Sequence, residues 1–336
     1  MHIKKFIIAG VMLAAAGMAF AKTKIVTTIF PEYDWVREIA GDKAKNAEIT
    51  LLIDSGIDLH SYQPSIKDIA KISTADIFIH VGGESDAWVN DVLKNAKNKD
   101  MKVINLMEVL GDKVKVEEIV EGMQVEEEEH EHEHEHENEH EHGEEHGHHH
   151  HESGEEEAEY DEHVWLSVRN AKILCGAICD ALCQKDAKNA AAYRTNLAAY
   201  TAKLDRLDAD FAAAARGGNT KTLLFGDRFP FRYFVDDYGL SYYAAFVGCS
   251  AESEASFETI VFLANKVDEL GLKNVCQIES GNGKIARTII DSSRKKNAKI
   301  LTLDSMQSTT QKDIKGGATY LGVMQKNLEV LKEAVR

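Results

Sequence analysis

From residue 24 onward, apolar positions along the chain switch between a period of two and a period near 3.6. Residues 24–30 are apolar and β-branched, which predicts a strand. Pro31 then opens a stretch in which Tyr33, Trp35, Val36 and Ile39 recur at helical spacing until Gly41 stops it. The alternation continues with strands at 48–53, 76–81 and 102–107 and helices at 66–72 and 88–97; residues 54–65 form a loop. After a polar interruption, 164–184 reads as an amphipathic helix. A second helix, 187–216, carries Tyr193, Leu197, Tyr200, Leu204, Leu207 and Phe211 three or four apart. At about 1.5 Å per residue it would reach roughly 45 Å, a length suited to a strut between two lobes. A second series follows Gly217-Gly218: strands at 222–225, 240–246, 274–278 and 299–303, and helices at 229–238, 257–270, 283–296 and 319–335. Strands alternating with helices argue parallel sheets with helical flanks. The predicted fold is therefore α/β, two parallel-sheet lobes joined by one long rigid helix. The divisions are 1–21 (leader), 22–184 (first lobe, with an insertion at about 117–160), 185–216 (linking helix) and 217–336 (second lobe).

Composition changes this picture at two places. The start, Met1-His2-Ile3-Lys4-Lys5 followed by an apolar run to Phe20 and Ala19-Phe20-Ala21, has the form of a signal peptide cut after Ala21. It implies a periplasmic or extracytoplasmic protein, and no cysteine follows the apolar run to take a lipid anchor. The net charge of −17 belongs to one segment: residues 117–162 hold 22 Asp and Glu and no Lys or Arg, leaving the remainder at about +5. Without a basic stripe interleaved with aromatics, nucleic acid is not an expected partner. Eleven of the 15 histidines fall in the same segment: His130, His132, His134, His136, His140, His142, His146, His148, His149, His150 and His151. A run this polar cannot bury a core and is expected to be disordered, but its imidazoles suit weak capture of zinc, copper or nickel. A solvated acidic spacer is the plainer reading. His130-Glu131-x-x-His134 fits the HExxH pattern, yet alternating repeats generate that match and no amphipathic helix surrounds it, so a protease is rejected.

Five cysteines follow. Cys175, Cys179 and Cys183 lie along one helical face and read as small core residues, whereas Cys249 and Cys276 each fall near a strand end and are possible neighbours.

In open α/β sheets the ligand site lies beyond the carboxyl ends of the strands. His60, His80, Asp227, Arg228, Glu279 and Asp304 all follow or end predicted strands, and His163 precedes a predicted helix. Taken singly, His60 and His163 read as capping or surface histidines, His80 as structural and Asp304 as a turn former. Two motifs change that: Gly56-Ile57-Asp58-Leu59-His60-Ser61-Tyr62-Gln63-Pro64-Ser65 and Asp161-Glu162-His163-Val164-Trp165-Leu166-Ser167. Together they resemble the ligand motifs of periplasmic solute-binding proteins of zinc/manganese ABC importers, and the acidic histidine run resembles that of the zinc-uptake branch. The resemblance implies a metal site at the lobe interface, with His60, His163 and Asp304 as metal ligands. It places the third family ligand, His or Glu, at Arg228 within Arg228-Phe229-Pro230-Phe231-Arg232-Tyr233-Phe234. A guanidinium has no lone pair to give. Water, Asp227, Glu279, His80 or a histidine of the run would then complete the site, with water or a run histidine favoured, and Arg228 would modulate the site by pairing with a carboxylate, Glu279 being the expected acceptor.

Zn(2+) is the expected cargo, with Mn(2+) as the alternative and room for copper or nickel, since the histidine run favours softer metals than manganese. The implied function is a monomeric, non-enzymatic receptor that delivers the metal to a membrane permease. A secreted zinc buffer acting through the run, a zinc hydrolase with Glu279 as base and a metal-binding adhesin are the rivals.

Overall fold

The computed structural model describes residues 22–124, 159–250 and 254–336; the leader and the histidine run lie outside the described residues. The first lobe is built from β1 (Thr23–Thr27), α1 (Phe30–Ala40), β2 (Ala47–Leu51), α2 (Ile66–Ser73), β3 (Ile77–His80), α3 (Val89–Lys94), β4 (Lys102–Asn105) and α4 (Leu106–Leu110). Its four strands pair in parallel in the order β2-β1-β3-β4. All four residues of β3 are buried, as a central parallel strand covered on both faces requires. Two helices follow, α5 (Val168–Lys185) and α6 (Ala190–Gly217). The second lobe contains β5 (Thr222–Phe229), α7 (Arg232–Tyr238), β6 (Ser241–Val247), α8 (Phe257–Glu269), β7 (Asn274–Ile278), α9 (Lys284–Ser292), β8 (Lys299–Leu303), α10 (Gln311–Lys315) and α11 (Tyr320–Ala334), with parallel strand order β6-β5-β7-β8.

The two parallel sheets and the long helix agree with the predicted fold; several boundaries differ. Asn105 caps α4 by accepting from Glu108 N at 3.1 Å, so the fourth strand ends two residues early and a helix replaces its tail. Val164–Leu166 forms a 3₁₀ turn, and α5 begins only after Ser167, whose side chain accepts from Asn170 N. A register shift between Phe225 and Arg228 lets β5 continue to Phe229, so Arg228 belongs to the strand rather than following it, and the helix expected from 229 begins at Arg232.

At 28 residues α6 is about 42 Å long. It packs on α1, α5 and α11. One continuous buried cluster runs from Ile25, Trp35 and Ile77 through Leu174 and Leu204 to Phe225, Ile278 and Leu331, joining both sheets. A smaller cluster, including Leu224, Leu263 and Ile289, fills the other face of the second sheet under α8 and α9. Polar ties cross between the lobes as well. Tyr320 N donates to Asp34 Oδ2 at 2.8 Å, Tyr320 Oη to Trp165 O at 2.8 Å, and Trp165 Nε1 to Ser305 O at 2.9 Å. The carboxyl ends of the two sheets thus face each other across a narrow seam.

Candidate metal centre

His60 sits in a one-turn 3₁₀ segment after β2, and its backbone N donates to Asp58 Oδ1 at 3.0 Å. His163 precedes the 3₁₀ turn before α5 and is fully buried. Both belong to the first lobe, and their Nε2 atoms lie 3.1 Å apart at its face of the seam. Each ring is held from behind. Asp161 Oδ1 accepts from both the backbone N (2.8 Å) and the ring Nδ1 (2.9 Å) of His163. A carboxylate oxygen accepts, so the His163 Nδ1 carries the proton and Nε2 is the nitrogen left facing His60. His60 Nδ1 is 2.8 Å from Ser85 Oγ and 3.4 Å from Glu162 Oε2, which sets the same orientation.

Local backbone makes room for these supports. Glu162 Oε1 accepts from Ser85 N at 2.8 Å, beneath the Gly82-Gly83 turn. Gly83 has φ 78°, and a Cβ there would stand 2.3 Å from Glu162 Oε1, so only glycine fits. Burial pushes the Glu162 carboxyl up, but hydrogen bonds from His60 and Ser85 outweigh it and hold it below the usual range. For His163, burial works against the charged ring, yet Asp161 and Glu162 prevail and raise its pKa.

Arg228 donates to Asp58 Oδ2, and its Nη1 lies 3.5 Å from Ser250 O. Its acceptor is thus Asp58 of the first lobe, correcting the expected pairing with Glu279. Burial raises the Asp58 carboxyl, but Arg228 and His60 overcome it and keep it ionised. Glu279 is taken by the loop after β8, accepting from Ser305 N (2.7 Å), Gln307 N (3.1 Å) and Ser308 N (3.3 Å). That loop sets Gln307 against the site: with the amide turned so that its nitrogen faces Asp58, it would donate to Asp58 Oδ1 at 3.0 Å and accept from His163 Nε2 at 3.3 Å.

Among the described residues, the donor atoms that come within 4.8 Å of one another are those of His60, His163 and Cys249. The structure brings the two predicted histidines together and leaves the other candidates outside this group. Asp304 Oδ1 accepts from Met306 N at 2.8 Å; burial and nearby Glu279 push its pKa up to about 6. His80 Nδ1 is 3.3 Å from Asp86 Oδ2, and its ring stacks on Phe78. Asp227 accepts from Ile278 N at 3.2 Å. Sequence alone puts Cys249 near a strand end and assigns it no role. It follows β6, its backbone N donates to Glu117 Oε1 at 3.2 Å, and burial with the carboxylates of Glu117, Asp161 and Glu162 pushes its thiol far above the usual range. All five cysteines are thiols; Cys175, Cys179, Cys183 and Cys276 are buried.

Two nitrogens at about 2.0–2.1 Å from a tetrahedral zinc lie about 3.3 Å apart. The 3.1 Å between the two Nε2 atoms is within a small adjustment of that spacing.

Similarity to known proteins agrees with this chemistry. The chain is 30% identical over 315 residues to the zinc-binding protein AdcA of Streptococcus pyogenes serotype M3, covering 94% of this chain and 56% of AdcA. It therefore spans about half the length of those curated relatives. It is also 28% identical to the high-affinity zinc uptake system protein ZnuA of Bacillus subtilis, covering 98% of this chain and 96% of that protein. Among solved structures, the Zn(II)-bound ZnuA-like domain of Streptococcus pneumoniae AdcA matches with a TM-score of 0.67 and 28% identity, over 94% of this chain and 99% of that domain. The metal-dependent lipoprotein YcdH of Bacillus subtilis shares the fold, with a TM-score of 0.70, 24% identity and coverage of 94% of this chain and 99% of that one. The profile of the zinc-uptake complex component A, periplasmic, matches residues 25–334, and the chain belongs to this ZnuA family.

Proposed function

We propose that the protein is an extracytoplasmic receptor that takes up one zinc ion between its lobes, through His60 and His163, and hands it to an ABC-type permease. The observation that carries this reading is the pair of Nε2 atoms 3.1 Å apart, each ring held at Nδ1 by groups that leave Nε2 for the metal. Zinc is favoured over manganese because nitrogen donors dominate the cluster and the relatives named above are zinc-binding proteins. Asp304 is the carboxylate candidate of the second lobe for a remaining coordination position, and Glu279, His80 and Asp227 are the further candidates.

Asp161 holds the Nδ1 side of His163 and helps raise its pKa, so a second proton competes for Nε2 as pH falls. Zinc entry displaces the Nε2 proton, so loading releases protons to solvent. The histidine run would collect zinc weakly and raise its concentration beside the seam. Among the described residues no helix is long and apolar enough to cross a membrane, and delivery is assigned to a separate permease.

Zinc titration against a competing chelator tests this. Wild type should show one tight site plus several weak ones, and His60→Ala/His163→Ala should keep only the weak set. If the double variant retains all measurable binding, the protein is a buffer acting through its histidine run.

A further inference from the structure

Resting on the receptor reading, we infer that Cys249 is the third protein ligand, so that the metal is held by two imidazole nitrogens and one thiolate. The second lobe must contribute a donor if the ion is to bridge the seam, and its obvious candidates are engaged elsewhere. Arg228 stands where an imidazole or carboxylate is expected and is bound to Asp58. Glu279 is wrapped by Ser305, Gln307 and Ser308, and Asp304 accepts from Met306 N. Cys249 Sγ is the second-lobe donor atom that lies within 4.8 Å of the ligand nitrogens of both histidines. In a tetrahedral site with Zn–S about 2.3 Å and Zn–N about 2.0–2.1 Å, sulfur and nitrogen stand about 3.6 Å apart, so a modest rotation of the cysteine completes the set.

The backbone around Cys249 is fitted to this position. Gly248 precedes it, and a Cβ there would come within 3.0 Å of His163 Cε1 and 2.9 Å of Phe229 O. The glycine lets the turn after β6 lie directly against the His163 ring. Glu117 then fixes the turn by accepting from Cys249 N. No such packing is needed to hold a small core cysteine.

Binding is balanced as an exchange: the zinc–sulfur bond forms as the S–H bond breaks, and the thiol proton passes to solvent. A thiolate disfavours manganese, which prefers hard oxygen donors, and suits zinc. The chain thus replaces the missing imidazole with a softer donor from a different strand end.

Cobalt(II) substitution of the full-length protein tests the assignment, because the histidine run offers only nitrogen and oxygen donors. The expected result is a near-ultraviolet thiolate-to-cobalt charge-transfer band that saturates with the tight site and is bleached by zinc. Cys249→Ser should abolish the band and weaken zinc binding at least about tenfold, since even loss of a supporting partner costs 10–100-fold. Cys249→His, which restores a donor without sulfur, should recover tight zinc binding with no band and so separates ligation from folding. X-ray absorption at the zinc edge should show one sulfur at about 2.3 Å in the wild type. One tight site dependent on His60 and His163 but lacking any sulfur signal would overturn the Cys249 assignment alone. Absence of that histidine-dependent site would overturn the receptor reading as well.

Discussion

Asp161 governs His163 through a single oxygen that accepts from both its backbone and its ring. Asp161→Asn keeps the shape and removes the charge. Zinc affinity at pH 8 should fall about 10–100-fold, the usual consequence of losing a supporting partner of a metal ligand. The pH dependence should move with it. Because Asp161 helps raise the His163 pKa, a proton competes with zinc in the wild type from above the ordinary imidazole range, and affinity declines as pH falls through that region. In Asp161→Asn the decline should begin at lower pH; chelator competition across pH 8 to 5.5 measures both effects, and a flat wild-type profile would contradict the assignment. Arg228→Met should lower stability by about 1–3 kcal/mol in urea unfolding, since it strips a charged partner from the half-buried Asp58. The candidacy of the two histidines was readable in the sequence because each sits in a contiguous motif with an acidic neighbour, Asp58 at the His60 backbone and Asp161 at the His163 ring, whereas the ring of His60 is held by Ser85 and Glu162 from elsewhere in the chain. Arg228's true partner and the role of Cys249 were not. Both depend on contacts that cross the seam between residues far apart in the chain, and no local spacing encodes such a contact.

At the scale of the elements, the start of α1 carries a charge problem. Glu32 is buried and closes the helix N-terminus, accepting from Thr28 N at 2.8 Å and Ile29 N at 3.3 Å. Burial, with Asp86 adding repulsion, pushes its pKa from an ordinary 4.5 up to about 8. The folded state therefore binds this proton more tightly than the unfolded chain does, and stability falls as pH rises from about 4.5 to about 8. Glu32→Gln keeps an acceptor for the helix N-terminus and should remove that part of the slope, so the urea midpoint of the variant gains on the wild type as pH rises from 5 to 8. Parallel profiles would refute it. Element type was legible wherever apolar periodicity was long, as in α6 and β3. Boundaries failed where a side chain decided them. Asn105 ends a strand by capping α4, Ser167 delays α5, and the irregularity between Phe225 and Arg228 prolongs β5.

The whole molecule is tied too tightly for wide opening. One buried cluster spans both sheets, and Tyr320 alone bonds to Asp34 N-terminal to it in the first lobe and to Trp165 beside the site. Tyr320→Phe, which leaves the Trp165 carbonyl without its donor, should lower stability by about 1–3 kcal/mol in urea unfolding while sparing most of the zinc affinity. A receptor of this kind should close by small shifts at the seam, and zinc at 1,000 times its dissociation constant should add about 4 kcal/mol of stability. That gain should vanish in His60→Ala/His163→Ala. Anomalous diffraction at the zinc edge from crystals of the zinc-loaded protein decides whether the two histidines hold the ion. One strong peak between His60 Nε2 and His163 Nε2 is expected; zinc confined to other sites, with no peak between those two atoms, would rule out ligation by the pair.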